Sequence, residues 1–129
     1  MPPPPLIAIV DDDAGVRASL SSLLRSLGHA VRAYAHGQEL LEDTRLPPVD
    51  CIISDAQMPV LDGVQLQQRL RARGDHVPMI FMTAFPTPAL EARLAADGAL
   101  AFLRKPVDAA TLVAWLQRAL DDRADHTKV

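Results

Sequence analysis

Cysteine is nearly missing from this 129-residue chain. Cys51 stands alone, so an internal disulfide is impossible and nothing calls for an oxidising compartment. Aromatic residues are scarce too: Tyr34, Phe81, Phe85, Phe102 and Trp115 make up the whole set. With a net charge of −3, that scarcity argues against this domain gripping nucleic acid, which takes basic grooves and stacking platforms. No apolar run approaches the roughly 18 to 20 residues that span a bilayer. The opening MPPPPL has no positively charged stretch, so no signal peptide is expected and the expected setting is cytoplasmic. Neither GxGxxG nor GxxxxGK occurs, and the four histidines are too scattered for a zinc site. Two charged residues are also rare. There are two lysines against eleven arginines, and three glutamates against thirteen aspartates. Glutamate is the better helix former, so an aspartate excess points to turns, caps and metal-binding loops.

What is present is ordinary in bulk and patterned in detail. The length suits one domain, and 49% apolar with 22% charged residues is typical of a globular core with a solvated surface. Pro2 to Pro5 read as an extended, loose tail. Leu6-Ile-Ala-Ile-Val10 is a short continuous apolar run, as in a strand buried on both faces. Val16, Leu20, Leu23, Leu24 and Leu27 then form one helical stripe, with Asp13 as its N-cap and Gly28 as its stop. The alternation continues through strands at 30–34, 51–54, 77–83 and 100–103. Helices are expected at about 36–44, 64–73 and 88–96, and a last one is striped by Leu112, Val113, Leu116, Ala119 and Leu120. Residues 56–63, with Pro59 and Asp62-Gly63, read as a loop. Five strands alternating with five helices predict right-handed crossovers and a parallel sheet covered on both faces.

In such a sheet, chemistry gathers beyond the carboxyl ends of the strands. The first strand ends in Asp11-Asp12-Asp13, the third in Asp55, the fourth in Thr83-Ala84 and the fifth in Arg104-Lys105-Pro106. Taken singly, each has a plain explanation. An Asp after a strand caps the next helix, Asp55 is a turn residue, Thr83 bonds to backbone, and Lys105 is a surface lysine. Together they exceed those needs. One oxygen suffices for a cap, whereas three adjacent carboxylates repel one another unless a cation relieves them. Acids from two strands can hold Mg²⁺, a free carboxylate is a potential nucleophile toward phosphorus, and a compact ammonium suits a phosphoryl oxygen.

These residues resemble the receiver domain of two-component response regulators. Ile9-Val10-Asp11-Asp12-Asp13, Asp55-Ala-Gln-Met-Pro59 with Asp62-Gly63, Thr83-Ala84 and Lys105-Pro106 carry the likeness. It runs from about residue 6 to residue 121. It implies a flavodoxin-like (βα)5 fold with strand order 2-1-3-4-5 and helices on both faces. It implies Asp55 as phosphoacceptor, with a histidine kinase as donor. Mg²⁺ (or Mn²⁺) would be held by Asp12 and Asp55 directly, by Asp11 through water, and by the backbone carbonyl of Gln57. Thr83 and Lys105 would bind the phosphoryl group, and Phe102 would be the switch aromatic working with Thr83. The Lys105-Pro106 bond is commonly cis in that family. Gln57 and Phe85 fall at positions that tune dephosphorylation. A bulky Phe85 is expected to hinder water and so to prolong the phosphoryl form.

The resemblance further implies a signalling domain rather than a metabolic enzyme. Its output face would be the fourth helix, fifth strand and fifth helix, working by dimerisation or by contact with a C-terminal DNA-binding domain. Ala89, Ala92, Ala95, Ala96 and Ala99 make that face lightly built. Residues 122–129 are expected to be a flexible tail or the start of a linker, and the DDRADH end resembles receivers joined to LuxR-type outputs. A stand-alone receiver acting by protein contact is the alternative. A metal-dependent phosphatase with an Asp nucleophile ranks lower, because Asp55-Ala56-Gln57 lacks the second acid such enzymes place two residues on. A nucleotide or flavin carrier rests on fold alone.

Overall fold

The computed structural model describes residues 3–127, with side chains through Arg123. The loose ends expected at residues 1–2 and 128–129 lie outside the described residues. Ten elements alternate along the chain: β1 (Leu6–Val10), α1 (Ala14–Ser26), β2 (Ala30–Tyr34), α2 (Gly37–Glu42), β3 (Cys51–Asp55), α3 (Gly63–Ala72), β4 (Met79–Thr83), α4 (Pro88–Ala96), β5 (Ala101–Arg104) and α5 (Ala109–Thr127). All strand pairs are parallel and their order is β2-β1-β3-β4-β5, the flavodoxin-like order expected. β3 and β4 are buried along their whole length, which is why their sequences read as unbroken apolar runs.

Each sheet face builds its own core. On one, Ala8, Val10, Ile52 and Phe81 meet Leu40 of α2, Val64, Leu66 and Leu70 of α3, and Leu94 of α4. On the other, Ile7, Ile9, Ile53, Ile80 and Met82 meet Leu24 of α1 and Leu112, Leu116 and Ala119 of α5. Each such Val, Leu, Ile, Met or Phe side chain contributes about 1.5–3 kcal/mol by leaving water. The alternation of residues along each strand therefore decides which helix it supports.

Several boundaries differ from those the sequence predicts. β4 begins at Met79 rather than Val77: Val77 is fully buried, but Pro78 has no N–H and offers only its carbonyl, which accepts from Ile52 at 2.9 Å. α2 stops at Glu42, because Asp43 leaves the helix to accept from the Tyr34 hydroxyl at 2.6 Å and the Arg45 amide at 3.1 Å. α5 runs through Thr127 instead of giving way near residue 121. The apolar stripe ends at Leu120, so the end of core contact was legible, whereas the helix itself meets no glycine or proline. It continues through the Gln117–Asp121 hydrogen bond of 3.0 Å. Leu27 belongs to the α1 stripe in sequence but is 44% exposed, since it follows the last turn as C-cap.

Candidate functional site

The carboxyl edge of the sheet gathers the predicted residues through specific local devices. Asp13 turns the chain into α1, its Oδ1 accepting from the amides of Gly15 at 2.8 Å and Val16 at 3.2 Å. That leaves Asp11 and Asp12 free of capping duty. Arg17 reaches back from α1 and donates to the Asp11 carbonyl at 2.7 Å, fixing the loop. On the β3 side, Asp62 caps α3 in a capping box with Gln65, each accepting from the other's amide at 2.9 Å. Gly63 is indispensable there. A Cβ on it would lie 2.8 Å from the Ala56 Cα and 2.9 Å from the Asp55 carbonyl, so only glycine lets α3 start this close to the acid.

Asp11, Asp12 and Asp55 each bring a carboxylate oxygen within 4.8 Å of the others'. Asp11 is fully buried, Asp55 is 7% exposed, and Asp12 faces solvent. Lys105 joins the two buried acids, its Nζ donating to Asp11 Oδ2 at 2.8 Å and to Asp55 Oδ2 at 3.0 Å. The second oxygen of Asp11 accepts from the Asp13 amide at 2.9 Å, and that of Asp55 from the Gln57 amide at 3.0 Å. Burial raises the Asp55 carboxyl above the ordinary carboxylate range; the Gln57 amide and Lys105 offset only part of this, and Asp11 adds to it. Burial works against the Lys105 ammonium, but its hydrogen bonds to Asp11 and Asp55 outweigh that and hold it above the usual lysine value. The oxygen-only donor set fits a hard divalent cation such as Mg²⁺, with Asp12 contributing an unengaged carboxylate at the mouth.

Thr83 is fully buried at the end of β4. Its hydroxyl bonds to backbone, accepting from the Phe85 amide at 3.1 Å, and in addition donates to the side chain of Gln57 at 2.7 Å. Phe102 is half-buried on β5 opposite Phe81 and packs against the core beneath α4. The Lys105-Pro106 bond is cis. Phe85 is 74% exposed. The sequence gives its backbone no signal, yet its amide and carbonyl both serve the site, the carbonyl accepting from Gln57 Nε2 at 3.4 Å. The sequence points to Gln57 as a carbonyl ligand and as a position that tunes dephosphorylation, but carries no signal for its side-chain hydrogen bond with Thr83.

The chain is similar to known proteins in sequence and in fold. The model of the response regulator receiver domain matches residues 7–117. The transcriptional regulatory protein FixJ of Bradyrhizobium diazoefficiens is 34% identical over 114 residues, covering 88% of this chain and 56% of FixJ. TdiR of Thauera aromatica, a transcriptional regulatory protein, is 33% identical, covering 93% of this chain and 56% of that one. The chain thus spans about half the length of the curated relatives it matches. Among solved structures, the chemotaxis protein CheY4 of Vibrio cholerae superposes with a TM-score of 0.83 at 31% identity, over 91% of this chain and 99% of that one. The response regulator StyR does so at 0.88 and 32%, over 97% of this chain and 63% of StyR.

Proposed function

The chain belongs to the response regulator receiver family, and on that premise we propose that it accepts a phosphoryl group from a histidine kinase on Asp55. The observation that supports this most directly is the bridge from Lys105 Nζ to Asp11 at 2.8 Å and Asp55 at 3.0 Å, within a three-carboxylate cluster at the sheet edge. An oxygen of Asp55 bonds to phosphorus as the bond from phosphorus to the donor nitrogen breaks. Lys105 loses its contact with the acceptor oxygen and donates to a phosphoryl oxygen instead. The Thr83 hydroxyl donates to another. Asp12 and Asp55, the Gln57 backbone carbonyl, and Asp11 through water would hold Mg²⁺ (or Mn²⁺), which would neutralise charge on the transferring group. The protein supplies position and electrostatics, all that this transfer asks of it.

The phosphoryl group adds charge and acceptor oxygens at the end of β4, drawing Thr83 toward Asp55. Phe102 then settles deeper beneath α4, and the α4–β5–α5 face shifts toward its active arrangement. That face dimerises or engages a C-terminal DNA-binding domain, in keeping with the transcriptional regulators among the relatives. Residues 6–121 are the receiver, and the α5 extension leads toward a linker. The chain's role is cytoplasmic signalling, with no turnover beyond its own phosphorylation and dephosphorylation.

Intact mass after incubation with acetyl phosphate tests the reading. One phosphoryl adduct is expected that needs Mg²⁺ and is lost in Asp55→Asn. Steady release of phosphate with no adduct would favour a phosphatase instead.

A further inference from the structure

The single hydroxyl proton of Thr83 is already committed. Thr83 Oγ1 donates to Gln57 Oε1 at 2.7 Å, and the Phe85 amide donates to the same Oγ1 at 3.1 Å. Gln57 Nε2 donates to the Phe85 carbonyl at 3.4 Å. Placing the nitrogen against that carbonyl leaves the oxygen end for Thr83, so the network defines the amide's orientation. The three contacts close a ring between the β3–α3 and β4–α4 loops. The backbone N–H of the same Gln57 donates to Asp55 Oδ1 at 3.0 Å. One residue therefore touches both the acceptor carboxylate and the hydroxyl expected to serve it.

A hydroxyl donates one hydrogen bond at a time. A phosphoryl oxygen on Asp55 can receive the Thr83 proton only if Gln57 gives it up. We propose that the Gln57 side chain is a positioning residue that competes with the phosphoryl group for the Thr83 hydroxyl and so sets how readily the phosphorylated arrangement forms. The proposal rests on Asp55 being the acceptor. The geometry extends the effect beyond one bond. The Phe85 amide donates to the same Oγ1, so a shift of Thr83 toward Asp55 draws on the loop that leads, two residues on, to Thr87, the N-cap of α4. The Gln57 side chain is exposed while Thr83 is fully buried, so water replaces the lost partner of Gln57 at little cost. A net hydrogen bond of this kind corresponds to about a 3- to 10-fold effect on an equilibrium.

Beryllofluoride, a phosphoryl mimic, tests this without enzymatic turnover. Its affinity in Mg²⁺ is measured by ¹⁹F NMR on the wild type, Gln57→Met, Thr83→Ala and the double variant. Gln57→Met keeps the backbone carbonyl and the side-chain length but removes the acceptor. It is expected to bind about 3- to 10-fold more tightly than wild type. In the Thr83→Ala background the same substitution should have no effect, because the contested proton is gone. Equal affinities for wild type and Gln57→Met would overturn the proposal, as would an identical gain in the Thr83→Ala background. A wild-type chain that bound no beryllofluoride would instead overturn the acceptor reading beneath it. Thermal unfolding of each variant confirms that the folded state is being compared.

Discussion

Helices α3 and α4 lie on the same face of the sheet and start beside the same pocket, yet they are held in opposite ways. α3 opens with a reciprocal capping box and a glycine pressed against the backbone of Asp55 and Ala56. It buries Gly63, Val64, Leu66, Gln67 and Leu70. α4 opens with a single Thr87 cap and Pro88, and buries only Leu94. Its alanines at 89, 92, 95 and 96 all face solvent. What fastens α4 comes from α3 and acts at one end: Gln67 Nε2 donates to the Leu94 carbonyl at 3.2 Å, and Arg71 Nε to the Asp97 carbonyl at 3.1 Å. Its other end follows a loop whose amide and carbonyl belong to the Thr83–Gln57 ring. A helix with few buried contacts, pinned at its C-terminus and tied to the site at its N-terminus, is built to respond; its neighbour is built to stay.

Substitutions can break this contrast, and the largest effect belongs to the fixed helix. Gly63→Ala is expected to cost about 3 kcal/mol or more, because its Cβ would sit under 3.0 Å from two backbone atoms that cannot yield cheaply. Urea denaturation at an unchanged m-value would measure it. A cost under about 1 kcal/mol would show the α3 start to be loose. Leu94→Ala removes the one buried anchor of α4 and is expected to cost about 2–3 kcal/mol. Leu90→Ala, at the half-buried free end, should cost about 1 kcal/mol. If the two leucines cost the same, α4 has no pinned end.

Gln67→Leu sharpens the comparison. The Oε1 of Gln67 is buried without a partner among the described residues, so losing the amide removes one unsatisfied group along with one hydrogen bond. Overall stability is expected to move by less than about 0.5 kcal/mol, while amide exchange in α4 quickens. The smallest effect concerns pH. Burial, with Asp50 adding to it, pushes the Cys51 thiol in β3 up to about 12 from an ordinary 9.0. A raised folded value means its contribution is complete below pH 9 and is lost as pH climbs toward 12. Native protein at pH 8 should therefore resist thiol alkylation until it unfolds.

How far the sequence could be read follows the same division. Groups whose role is local were legible. The apolar runs marked five strands, Asp13 and Asp62 announced their caps, and the strand-end acids with Lys105 marked the pocket. Much of the aspartate excess is likewise local: Asp108 caps α5 through Thr111, Asp50 accepts from Leu6, and Asp75 from Val77. Groups whose role depends on which loop packs beside which were not legible. The sequence marks Gln57 as a position but not its side-chain partner, and only the fold brings Gln57 to Thr83, Gln67 to Leu94 or Arg71 to Asp97.

Hydrogen exchange of α3 and α4, before and after acetyl phosphate with Mg²⁺, is the most direct test of a fixed helix beside a responsive one. Exchange along residues 84–93 should change on phosphorylation while α3 stays as it was, and Asp55→Asn should show no change in either. Equal changes in both helices, or a response that survives Asp55→Asn, would contradict the account.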